Sequence, residues 1–134
     1  MSILKLLSWN MNQKAANWQA VLDSGVDVAM LQEAKAPPAD LADNFTFQQN
    51  LESAERKLSW RAIVAGLVNT DKLDFTPIKT QPLNGSDPEA LIVSSAGSLD
   101  AAFIRIRETG EEIIAVSLYS SWLSPGLKNC RRIA

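Results

Sequence analysis

Val26-Asp27-Val28-Ala29-Met30-Leu31 is a compact apolar run with a single acid near its start, and it breaks into Gln32-Glu33-Ala34-Lys35 ahead of the Pro37-Pro38 pair. Such a run, bounded by polar and Pro signals, predicts a buried strand. Just upstream, Ala15, Trp18, Val21 and Leu22 recur at helical spacing over Ala15 to Asp23, and Gly25 stands where a helix would end. Further upstream, Ile3-Leu4-Lys5-Leu6-Leu7-Ser8-Trp9 is a second apolar run, stopped by Asn10-Met11-Asn12, and it too predicts a buried strand. Strand, helix and strand within ~30 residues make a βαβ unit, whose crossover sets the two strands parallel or nearly adjacent in one sheet. Chemistry in such units sits in the loops at the carboxyl ends of the strands.

Downstream the pattern changes. Pro37 to Ser53 is polar and without a clear period, and it predicts a loop with one helical turn around Ala39 to Asp43. From Ser59 onward short β-like runs follow: Trp60 to Val68, Thr76 to Gln81, Ala90 to Ser94, Asp100 to Arg107 and Glu112 to Tyr119. Their connectors are Asn69-Thr70-Asp71, Pro82-Leu83-Asn84-Gly85 and Glu108-Thr109-Gly110-Glu111, the last joining two runs of near-equal length as in a hairpin. Phe103, Arg105 and Arg107 share one face of their strand and Ile104 and Ile106 the other, so one face is expected to be buried. The five runs together predict an antiparallel meander. Ser124-Pro125 is a helix-start signal, and Leu127, Cys130, Arg131 and Ile133 begin a helical pattern with no C-capping residue after it.

Composition narrows the function classes. A chain of 134 residues with 46% hydrophobic and 21% charged residues is that of a globular domain with room for one core. Thirteen Lys plus Arg against 15 Asp plus Glu, net charge -2, give no global basic footprint for nucleic acid. The one basic cluster, Lys128, Arg131 and Arg132, reads as a solvated helix end. A single Cys and no His exclude an intramolecular disulfide framework and a zinc site of the usual ligands, and a reduced, cytoplasmic setting is expected. The N-terminal run is too short for a signal peptide's apolar region or a membrane span, so no membrane partner is expected.

Two polar residues stand at the ends of apolar strands, Asn10 after Leu7-Ser8-Trp9 and Glu33 after Met30-Leu31-Gln32. If the strands are neighbours, both side chains reach one sheet edge, where a carboxylate, an amide and water oxygens suit Mg²⁺. By periodicity alone the commoner role of such residues is to bond their own loop backbone, and that alternative stands. The wording of the segments adds to this. Leu7-Ser8-Trp9-Asn10-Met11-Asn12 followed by Val26 to Lys35 resembles the two opening motifs of the endonuclease/exonuclease/phosphatase superfamily, a strand ending in Trp-Asn and a strand ending in Leu-Gln-Glu. Ile113-Ile114-Ala115-Val116-Ser117-Leu118-Tyr119 is similar to that family's inner strand, which ends in an active-site Tyr or His.

The resemblance implies a Mg²⁺-dependent phosphodiesterase, nuclease or phosphatase-like domain, with Mn²⁺ as an alternative cation and a phosphoester substrate, nucleic acid among the candidates. Glu33 would be the principal metal ligand, and Asn10 would orient it or the phosphate. Tyr119 would lie near the scissile phosphate, where a phenol can bond a non-bridging oxygen; its other reading is an aromatic packed on the sheet edge. Asn12 stands where the family often has an acid, and Lys35 is either a near neighbour of the metal ligand or simply solvated. The implied fold is α+β, of α/β sandwich type. Residues 1–134 would form a single, truncated domain, the N-terminal portion of a four-layer α/β/β/α fold with mainly one mixed sheet and a helix layer. The family's Gly-Asp-x-Asn and Asp-His motifs are not in this sequence, so an Asp to position water and a His for the developing charge are missing and activity would be weak or absent. An uncovered inner sheet face is expected in such a half-domain, and it predicts self-association or a complementary chain. The alternatives are a non-catalytic binding or assembly module that uses the exposed sheet face, and an unrelated α+β domain with no metal site.

Overall fold

In the computed structural model the described residues are 3–48, 61–68, 70–81, 85–94 and 97–119. β1 (Leu6–Asn10), α1 (Asn17–Asp23) and β2 (Val28–Ala34) form the expected βαβ unit, with β1 and β2 parallel and Asn10 registered against Gln32. The helix ends as its sequence dictates: Ser24 donates its amide back to Ala20 and Val21, and Gly25 follows at φ 72°, where a side chain would be strained. Trp18 and Val21 point inward from α1. Trp18 is fully buried, meets Phe45 edge-on at 4.9 Å between centroids, and donates its indole N–H to the Lys35 carbonyl at 3.0 Å.

After β2 come a 3-10 turn (Ala42–Asn44) and a two-residue strand β3 (Phe45–Thr46), so the expected helical turn is displaced toward the end of its window, and 49–53 lie outside the described residues. β4 (Arg61–Leu67) is antiparallel to both β2 and β3, giving a sheet of order β1-β2-β4-β3. β5 (Leu73–Pro77), β8 (Leu99–Ile106) and β9 (Glu112–Leu118) make a second, antiparallel sheet of order β5-β8-β9, closed by the expected β8–β9 hairpin. β6 (Thr80–Gln81) and β7 (Ile92–Val93) pair in parallel on their own.

The single meander is therefore a misreading. Its five runs are distributed over three sheets, because β4 is apolar on both faces and buries best at the centre of the first sheet, between β2 and β3. β1 is also not the buried strand its composition predicts: it is an edge strand of alternating exposure, with Leu6 49% exposed, since only its Leu7 and Trp9 side finds the helix.

The larger correction concerns the inner face. The first sheet carries α1 on one side, where Trp18, Val21, Leu31, Ile63 and Phe45 form one core. The second sheet covers its other side, with β4 against β8 and β9 and β2 against β9. Val28, Val64, Leu73, Ala102, Ile104 and Ala115 form a second core between the two sheets. One sheet with an uncovered inner face is thus not what forms: the described residues alone build helix, sheet and sheet. Gly66, central in β4, shows how close the sheets come, since a Cβ there would lie 2.6 Å from the Phe75 ring. Four exposed apolar side chains, Phe103, Ile114, Val116 and Leu118, share the outer face of the second sheet at 42–68% exposure. Ile104 is buried and Phe103, Arg105 and Arg107 are exposed, as the alternation along β8 requires. The expected helix from Ser124, with Lys128, Cys130, Arg131 and Arg132, lies outside the described residues.

Candidate functional site

The carboxyl ends of β1 and β2 lie together, and the backbone there departs from regular strand. Leu31 pairs with Ile63 and Ala34 with Arg61, so Gln32 and Glu33 stand opposite the single residue Ala62. This is a β-bulge, and Glu33 takes it up at φ 47°, a conformation a Glu rarely adopts. The consequence is directional. Leu31 and Ala34 both face the helix-side core, and Gln32 and Glu33 both meet the second sheet. Without the extra residue, strand alternation would turn Glu33 toward the helix.

The loop after β1 is drawn against the bulge. The amide of Met11 donates to the Gln32 carbonyl and that of Gln13 to the Glu33 carbonyl, both at 2.8 Å. Asn12 and Gln13 stand at φ 49° and 61°, so three side-chain-bearing residues with left-handed backbone gather at one place. Strain of this kind costs about 1–3 kcal/mol per residue and clusters at functional sites.

Glu33 and Tyr119 are brought together. The Tyr119 hydroxyl donates to a Glu33 carboxylate oxygen at 3.0 Å, and both residues are half-buried. Partial burial, then the bond to Glu33 and its negative charge, push the Tyr119 phenol above its ordinary pKa of about 10. Tyr119 is thus neutral and a hydrogen-bond donor at neutral pH. Asn10 is exposed at the same end of the sheet, and its Oδ1 accepts the Asn12 amide at 3.0 Å, the local loop bond that the sequence allows as its other role. The Lys35 side chain is exposed, and its carbonyl is the acceptor for Trp18.

Two residues that sequence reasoning did not single out complete the arrangement. The Ser117 hydroxyl donates to the Leu31 carbonyl at 2.6 Å, and Ser117 Oγ accepts from Gln32 Nε2 at 2.9 Å. The signal for Ser117 was its alternation with Tyr119: the two share one face of a strand whose other inward residues are apolar. A second polar cluster lies next to it. Asp100, the ladder partner of Ser117, is 2% exposed, and its carboxylate accepts the Val64 amide at 2.7 Å and Gln48 Nε2 at 2.9 Å. Burial raises Asp100 to a pKa of about 6, against the opposing pull of the Val64 and Ala101 amides, Gln48 and the nearby Arg61.

Among the described residues no three His, Cys, Asp or Glu side chains gather as a metal cluster. The donor set is nevertheless one a hard cation uses. One carboxylate with amide oxygens close by, the remaining positions taken by water, is the usual protein share of a Mg²⁺ site. Glu33 would hold the ion, and Asn10 is the nearest sequence candidate for a second oxygen. No helix of the described residues is long and apolar enough to cross a membrane. Comparisons with protein-family models, with curated proteins and with solved structures return no match for this chain.

Proposed function

We propose that this site binds a divalent cation, Mg²⁺ or Mn²⁺, and through it a phosphoester, as part of an endonuclease/exonuclease/phosphatase-type centre within a four-layer α/β/β/α fold. The single observation that carries the reading is Glu33, turned by a strained bulge onto the face where Tyr119 meets it. A bound Mg²⁺ would supply a Lewis acid for a phosphoryl oxygen. Glu33 would hold the ion through its carboxylate, which Tyr119 meets. The Tyr119 hydroxyl, kept protonated, can transfer its hydrogen bond to a non-bridging phosphate oxygen, and Asn10 orients the carboxylate or the phosphate. The chain has no His to meet the developing phosphorane charge, so binding is the property to measure. A reduced, cytoplasmic setting suits the single Cys130.

The test is a thermal melt with and without millimolar Mg²⁺ or Mn²⁺, run beside Glu33→Ala. A cation at about ten times its Kd should stabilise the fold by roughly 1.4 kcal/mol, a midpoint rise of a few degrees. The rise should vanish in Glu33→Ala. A wild-type midpoint indifferent to both cations would overturn the reading.

A second reading, a non-catalytic assembly module that self-associates, is favoured by the apolar outer face of β8 and β9 (Phe103, Ile114, Val116, Leu118). It predicts a concentration-dependent dimer in size-exclusion chromatography that Val116→Glu disperses without changing the cation response. A monomer at all concentrations removes it.

A further inference from the structure

A Glu at φ 47° inside a strand stays there only because its surroundings hold it. Among the described residues, the Gln13 amide acts on the Glu33 carbonyl and Tyr119 on its carboxylate. The register with β4 is already lost after Leu31, and there a restraint comes from the other sheet. Ser117 is 1% exposed, and its hydroxyl donates to the Leu31 carbonyl at 2.6 Å and accepts from Gln32 Nε2 at 2.9 Å. The same Gln32 nitrogen also donates to the Met30 carbonyl at 3.1 Å.

We propose that Ser117 is a positioning residue for Glu33: by holding Gln32 and the Leu31 carbonyl it fixes the bulge that turns the Glu33 carboxylate toward the second sheet. The inference rests on the reading of Glu33 as the cation ligand. The physical reason is one of alternatives. Met30 and Gln32 both face the second sheet, and an amide facing a largely apolar interface is tolerated only with partners. Ser117 supplies one of them. Leu31 and Ala34 are both fixed in the helix-side core, so the backbone between them must fit two residues on one side. With Gln32 anchored inward, Glu33 is the residue that takes the left-handed turn. Without the Ser117 hydroxyl, the Gln32 nitrogen keeps the Met30 carbonyl among the described residues and the Leu31 carbonyl loses its bond, so the bulge is left to the loop amides of Met11 and Gln13 and to Tyr119.

The test is amide hydrogen exchange on the full chain, comparing wild type with Ser117→Ala, Ser117→Thr and Gln32→Met. The amides of Met11 and Gln13 donate to Gln32 and Glu33 and report the bulge without any cation present. In Ser117→Ala both should exchange roughly tenfold faster, about what loss of one net hydrogen bond of local stability gives, with the amides of β4 and the β8–β9 ladder unchanged. Ser117→Thr should restore protection, and the Mg²⁺ concentration for half the thermal shift should rise several-fold in Ser117→Ala but not in Ser117→Thr. Gln32→Met removes the amide with little change of bulk and should show the same selective loss, which keeps the test decisive if Thr does not fit at position 117. Wild-type protection of Gln13 in Ser117→Ala, or a loss shared equally by β4, overturns the proposal. A selective loss in a protein whose wild type ignores Mg²⁺ upholds the positioning of Glu33 and removes the cation reading instead.

Discussion

Tyr119 is the chain's only tyrosine, so its phenol can be followed by near-ultraviolet absorbance with no other residue titrating in the band. Burial and the Glu33 carboxylate both oppose its ionisation, and the expected midpoint lies above the ordinary value of 10.0. Glu33→Gln should bring that midpoint down, since it removes the charge while keeping the shape; an unchanged midpoint would mean that Glu33 and Tyr119 are not paired in solution. Asp100 gives a second prediction, with a defined sign. Its folded pKa of about 6 stands above the ordinary carboxyl value of 3.8, so between these values the folded state binds more protons than the unfolded state. The stability this provides is complete below about pH 4 and is lost as pH rises through about 6. Denaturant melts should therefore show stability falling over that interval by up to ~3 kcal/mol, at most about 1.4 kcal/mol per pH unit, and flat above it as far as Asp100 is concerned. Asp100→Asn should remove that slope. A slope that persists in Asp100→Asn would assign it to other groups.

β4 is the element on which both cores depend, because Ile63, Ala65 and Leu67 face the helix side and Val64 and Gly66 the second sheet. Gly66 serves the close approach of Phe75. Gly66→Ala places a methyl within the ring's contact distance, and overpacking of this kind typically costs about 1–3 kcal/mol, readable as a shift in denaturation midpoint at constant slope. A neutral result would mean that the sheets have room to part there. Such a bulge could not be read from the sequence, since Val26 to Leu31 looks like an ordinary strand ending at Gln32. The strand in fact runs on to Ala34, and only the pairing with Ile63 and Arg61 reveals the extra residue.

At the scale of the whole molecule, helix, sheet and sheet share β4 and β2, so the two cores are expected to unfold as one cooperative unit. In native-state exchange the amides of Ile63, Val64 and Ala65 should open only with global unfolding. Those of the edge strand β1 and of the two-residue β3 should open earlier. Protection in β8 and β9 that is lost well before that in β4 would show the second sheet to be a separate unit, and with it the contact of Tyr119 and Glu33. Self-association, if present, belongs to the outer face of β8 and β9 rather than to the inner face the sequence reading expected, since that inner face is covered.

The sequence by itself determined the local elements and the candidate side chains. Apolar runs bounded by Gly, Pro and Asn marked the strands, helical spacing and Gly25 marked α1, and the polar residues closing two apolar runs marked Asn10 and Glu33, because these signals depend only on neighbours a few residues away. What the tertiary structure decided was which strands meet and which way each side chain turns. The assignment of β4 to the first sheet, the covering of the inner face and the meeting of Glu33 with Tyr119 and of Gln32 with Ser117, each across about 85 residues of chain, all follow from the packing of two sheets. Long-range pairing is chosen by the burial of whole faces at once, and no local pattern carries that information.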